Sequence, residues 1–181
     1  MKEAQYNKSV NGTTTRFAVT PAAKPGLGCA GVVLFGLSGF LAGMIVGSIL
    51  GNTVGTLVGI GVLVYGMIKV DLRPKLHKQP ASFEVSPDAI VAQGKRFARD
   101  DIHRLAVRNH YDRSQDIVIT GQTMPTGVAA GADIKHALRQ VTYLLQLESG
   151  GRAHVLAAGM DETTAFGLLT DVRRILGFEL S

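Results

Sequence analysis

Five histidines, His77, His103, His110, His136 and His154, are the side chains of this sequence best suited to metal binding or to proton transfer near neutral pH. His103, His110 and Asp112 form the closest group. On an extended strand, positions 103 and 110 are an odd number of residues apart and project to opposite faces, so they do not converge on an ion without a bulge. Asp100 and Asp101 beside His103 are carboxylates of the kind used in acid–base catalysis, yet no serine or cysteine nucleophile motif accompanies them. Polar turn residues are the simpler account. No glycine-rich loop leads from a strand into a helix, so a phosphate cradle lacks its geometric support. Cys29 is the single cysteine, which excludes an intrachain disulfide and a cysteine-based metal cage. The reading is of no catalytic residue, no metal and no cofactor.

Cationic side chains are the second group able to do chemistry. Lys95, Arg96 and Arg99, with Arg104 and Arg108 on the outer face of the next strand, form a candidate basic patch for anionic lipid; a solvated charged face is the alternative. The formal net charge of +5 and the pI near 9.6 suit either nucleic acid or a membrane surface. The apolar stretch described next makes the membrane the simpler partner, and nucleic acid is not expected.

Between Pro25 and Ile68 there is no Asp, Glu, Lys or Arg, and glycine occupies twelve of the 44 positions. Leu27 to Leu50 is a 24-residue apolar run, about 36 Å as a helix and long enough to cross a hydrocarbon core. Gly51, Asn52 and Thr53 supply a turn, and Val54 to Val70 is a second run of 17 residues at the lower edge of spanning length. Lipid offers no hydrogen-bond partners, so each run is expected to be helical. Gly39, Gly43, Gly47, Gly51, Gly55 and Gly59 recur every fourth residue. Such a stripe lets helix backbones approach closely, either within the hairpin or between copies in a homo-oligomer. Lys and Arg flank both ends of the hairpin while its turn carries no charge, which predicts both termini in the cytoplasm.

Residues 1–26 read as a basic N-terminal tail with one short strand at Thr15 to Thr20, residues 27–70 as the hairpin, and 71–80 as an extended linker bounded by Pro74 and Pro80. From residue 81 the periodicity becomes short and alternating. Ser82 to Val85, Ala89 to Gln93, Phe97 to Arg99, Ile102 to Tyr111, Asp116 to Thr120, Gln140 to Leu147 and Ala153 to Ala158 are candidate strands. Gly121 to Lys135 reads as a loop, with at most a weak helical turn near His136. Asp161 is placed to cap a final helix whose apolar face is Ala165, Phe166, Leu168, Leu169, Val172, Ile175 and Leu176, closed by Arg173, Arg174 and Gly177.

The order of six or seven strands and a capped helix resembles the bacterial membrane-anchored domains of the pleckstrin-homology (PH) type. The resemblance covers about residues 81–178. It rests on Ser82-Phe83-Glu84-Val85-Ser86-Pro87-Asp88 at the start, Asp101-Ile102 leading the third long strand, Leu145-Gln146-Leu147 before the turn, and Ala158-Gly159-Met160-Asp161-Glu162-Thr163-Thr164-Ala165 at the helix. The glycine stripe resembles the zippers of membrane-hairpin proteins. Together these imply an α+β membrane protein: a two-helix transmembrane hairpin followed by a PH-like barrel or sandwich (81–181). The implied role is a non-enzymatic binding or assembly module at the cytoplasmic face of the inner membrane, with an unidentified protein partner. A structural glycine-zipper oligomer forming a ring or channel is the alternative.

Overall fold

The computed structural model of the chain describes residues 3–26, 28–111 and 134–178. It is a mixed α+β protein with two antiparallel sheets and two long apolar helices. The chain divides into two compact units, one of Met1–Lys24, Arg73–Gln115 and Arg139–Ser181, the other of Pro25–Leu72 and Asp116–Leu138.

The first unit carries the sheets. Strands β1 (Gln5–Asn11), β2 (Thr14–Thr20), β3 (Ala81–Ser86), β4 (Ala89–Ala92) and β5 (Lys95–Ala98) form one sheet in chain order. Strands β6 (Ile102–Asn109), β7 (Tyr143–Ser149) and β8 (Arg152–Met160) form the other. Tight turns set the register. Gly150 and Gly151, at φ 58° and 71°, lie between the paired Ser149 and Arg152. Gln93 and Gly94, at φ 52° and 75°, join β4 to β5, as two-residue hairpins with left-handed central residues require.

The segment expected to be a basic tail with one strand at Thr15 to Thr20 has that strand as β2, but pairs it with β1 and supplies two of the five strands of this sheet. Thr15, Phe17 and Val19 of β2 point inward and pair with Val85, Phe83 and Ala81 of β3. Phe17 and Phe83 are nearly inaccessible and stack with ring centroids 5.3 Å apart. The folded unit is therefore discontinuous in sequence and does not begin at residue 81. Nor do the two sheets close into a barrel: eight strands lie in ladders of five and three among the described residues. The expected strand at 116–120 and nearly all of the 121–135 loop lie outside the described residues; 134–139 is a short helical segment.

Helix α3 (Glu162–Leu176) packs Ala165, Leu168, Leu169, Val172 and Leu176 into a core shared with Val85, Ile90, Leu145 and Leu147. Asp161 caps it, accepting from the Thr164 amide at 3.0 Å, and Gly177 ends it in the left-handed conformation. Phe166, expected on the apolar face, is 49% exposed, since its helical position falls outside the arc of the five buried residues.

The second unit is described by helices α1 (Gly28–Leu50) and α2 (Asn52–Lys69). Only Gly51 separates them, at φ 94°, so the reversal is tighter than the three-residue turn expected from sequence. At 1.5 Å per residue they are about 34 and 27 Å long, long enough and apolar enough to cross a membrane. Ser38, Ser48 and Thr56 donate their hydroxyl protons to the carbonyls of Leu34, Ile45 and Asn52, so each satisfies its polar group within its own helix.

Candidate functional site

Within the helical pair, the glycine stripe is the contact. A Cβ placed on Gly43 would lie 2.8 Å from the Gly55 carbonyl oxygen, and one on Gly59 would lie 2.8 Å from that of Gly39. Gly55 and Gly39 are as tightly met from the other side, by Gly43 and Gly59 respectively. Gly47 touches the Gly55 and Asn52 backbones at the turn end, and the Phe35 ring lies over Gly66 at the open end. Backbone-to-backbone approach of this kind is available only where no side chain intervenes. Gly51 stands apart from the others, with open space where a Cβ would be, and serves the turn through its positive φ. Beside the stripe runs a groove of about 540 Å³ edged by Phe40, Met44, Ile60 and Leu63.

The basic residues do not share one environment. Lys95 and Arg96 are exposed on the edge strand β5, where Arg96 is opposite Val91 and Val91 is opposite Glu84. Arg99 is tied to the end of α3, donating to the Gly177 carbonyl at 3.4 Å and lying 5.6 Å from the centre of the Phe178 ring. Arg104 is exposed on β6, whereas Arg108 on the same strand pairs with Glu148 at 3.1 Å. Asp100 and Asp101 form an exposed turn of 3-10 helix.

The histidines scatter, with one exception. His103 and His136 are exposed, and His154 packs on Phe97 at 4.8 Å. Asp112 lies outside the described residues. His77 and His110, 33 positions apart, meet edge to face at 5.4 Å, and Tyr111 meets His110 edge to face at 5.2 Å. No group of three or more His, Cys, Asp or Glu side chains able to hold a metal occurs among the described residues.

His77 belongs to a polar node that the sequence did not reveal. The stretch between Pro74 and Pro80 was expected to be an extended connector, but Lys75–Lys78 is a turn of 3-10 helix that buries His77 to 1% exposure. The His77 Nδ1 accepts the Gly159 amide proton at 3.1 Å. The Gly159 carbonyl accepts from the Ala22 amide at 2.8 Å, and the Arg73 guanidinium donates to the Ala22 carbonyl. Burial, reinforced by the charges of His110 and Arg73, pushes the His77 imidazole down to a pKa of about 4. Gly159, at φ 80°, has the His77 carbonyl and the Pro21 ring where a Cβ would lie, leaving no room for a side chain. A glycine inside the apolar run of β8 was the one available signal, since glycine in a strand marks close backbone approach.

A cavity of about 390 Å³ opens beside β8, lined by Leu76, Gln79, Ser82, Gln93 and the 155–158 segment. Its polar groups are amides and one hydroxyl, none of them a base able to activate a nucleophile near neutral pH. No protein-family model, no curated protein and no solved structure matches the chain.

Proposed function

We propose that the chain is a membrane-anchored, non-enzymatic binding or assembly module. In this reading α1 and α2 cross the membrane as a hairpin, and the two-sheet unit is a PH-like domain held at the cytoplasmic face of the inner membrane as part of a protein complex. The observation that carries it is the exposure of the helical pair. Only 6% of the first apolar window and 11% of the second is buried, while Leu37, Phe40, Ile45, Leu57, Ile60 and Ile68 are each more than half exposed. A core helix of a soluble protein would be mostly covered; an apolar surface of this extent requires lipid or a partner. The absence of charge between Pro25 and Ile68 argues against an ion or proton path through the pair, and the glycine contacts inside the hairpin favour an anchor over a ring-forming zipper.

Anionic lipid is the secondary partner in this reading, through Lys95, Arg96 and Arg104, because Arg99 and Arg108 are engaged within the domain. Alkaline carbonate extraction tests the anchor: the full chain should stay with the membrane pellet, and a chain with residues 25–72 replaced by a short flexible linker should be released. Release of both forms would refute the reading.

A further inference from the structure

We propose that His77 is a proton-responsive latch, whose protonation releases residues 21–24 and 73–78 from strand β8. The chemistry lies in one hydrogen bond. A ring nitrogen accepts only when it carries no proton, so the bond from the Gly159 amide to Nδ1 at 3.1 Å requires the neutral imidazole with its proton on Nε2. Protonation places N–H groups on both nitrogens and turns that acceptor into a donor facing the Gly159 N–H. Gly159 has little room to adjust, because the His77 carbonyl and Pro21 fill the space where a Cβ would sit and its φ of 80° belongs to the bulge it forms in β8 opposite Tyr143 and Leu144.

The same glycine holds the other segment. Its carbonyl accepts the Ala22 amide at 2.8 Å, and the Ala22 carbonyl accepts from Arg73, which starts the segment that carries His77. One strand residue thus bonds to both stretches of chain that lead, in sequence, into and out of residues 25–72. The groups facing His77 favour opening once protons arrive: His110 from the end of β6 at 5.4 Å and Arg73 from its own segment oppose a second positive charge. Lys75 and Lys78 flank it on the same turn, and Lys24 ends the 21–24 segment. With its pKa lowered to about 4, the imidazole is neutral and the latch is closed at pH 7; acid opens it.

Amide hydrogen exchange of the full chain in detergent micelles, corrected for the intrinsic pH dependence of exchange, tests this. Peptides covering 73–80 and 153–160 should lose protection by on the order of 20-fold between pH 7 and pH 5, while those over β3 and β4 keep theirs. His77→Gln, whose side-chain carbonyl accepts the same bond without titrating, should abolish that pH dependence. An unchanged profile in His77→Gln, or equal loss across β3 and β4, would overturn the proposal. Should the variant fail to fold, nitrogen NMR of the wild-type imidazole decides. Titration centred near pH 4, with protection falling from about pH 6.5 and levelling off at that midpoint, supports the latch; titration with protection unchanged from pH 7 to pH 4, or a loss that runs on past the midpoint, refutes it.

Discussion

The Tyr6 hydroxyl donates to Asp171 at 3.1 Å, joining the first strand of the chain to its last helix across 165 residues. Lys8 reaches the same carboxylate oxygen at 3.3 Å, and Arg174 approaches its other oxygen at 3.7 Å. A few residues earlier, the Ala4 amide donates to the capping Asp161 at 3.1 Å and the Ala4 carbonyl accepts from Thr164 at 3.2 Å. Burial and the Asp171 hydrogen bond raise the Tyr6 pKa, which keeps its hydroxyl a donor throughout the physiological range. The N-terminal hairpin is thus fastened both to β3 and to the first and third turns of α3.

This makes a fragment of residues 81–181 incomplete. It lacks Phe17 and Val19 and exposes Phe83 and Val85 to water, so it should be unfolded or aggregated by circular dichroism and by amide NMR dispersion. A chain in which residues 1–24 are linked directly to 73–181 should give dispersed spectra. In that chain Tyr6→Phe should cost about 1 kcal/mol in urea unfolding, the usual net worth of one hydrogen bond. A folded 81–181 fragment would contradict the assignment of β1 and β2 to the core.

Glycine positions in the helical pair should differ in tolerance. Gly55→Leu places a side chain into the Gly43 and Gly47 backbones and should splay the hairpin, lowering thermal stability in detergent and raising protease sensitivity near Gly51. Gly61→Leu, where nothing lies within 4 Å of a new Cβ, should leave both unchanged. Equal effects at the two positions would mean that general helix composition, and not the contact, matters.

Stability of the two-sheet unit should fall in acid with a sign set by His77. Its folded-state pKa is lowered to about 4 from the ordinary 6.5, so the unfolded chain binds the proton more readily between those values. The contribution is complete above pH 6.5 and is lost as the pH falls toward 4. It amounts to roughly 2 kcal/mol between pH 7 and pH 5. Urea unfolding of the 1–24/73–181 chain at the two pH values should show it, and His77→Gln should remove most of the difference.

The parts visible in sequence were those whose signal is local. An uncharged run, glycine at every fourth position, paired turn residues such as Gly150 and Gly151, and Asp161 before an amphipathic helix each act within a few residues. Of the N-terminal hairpin, the strand at Thr15 to Thr20 was legible, while its partner β1 and their place in the sheet were missed for the opposite reason. β2 alternates, with Thr15, Phe17 and Val19 inward, but β1 is exposed on both faces and carries no period. Its pairing chain, from β2 to β3, spans a 60-residue gap that no local pattern bridges. His77 was hidden because Lys75 and Lys78 mark the segment as solvated, while its burial depends on Gly159 some 80 residues later. Nothing short of tertiary structure brings those two together.

The account depends most on α1 and α2 crossing a membrane with the sheet unit inside. Its most direct test is thiol accessibility in a Cys29→Ser background, with single cysteines at Asn52, beside the turn, and at Val10, which is 70% exposed on β1. A membrane-impermeant maleimide should label Asn52→Cys in intact cells and Val10→Cys only after permeabilisation. Labelling of Val10→Cys in intact cells with Asn52→Cys protected, or recovery of the full chain as a soluble protein, would contradict it.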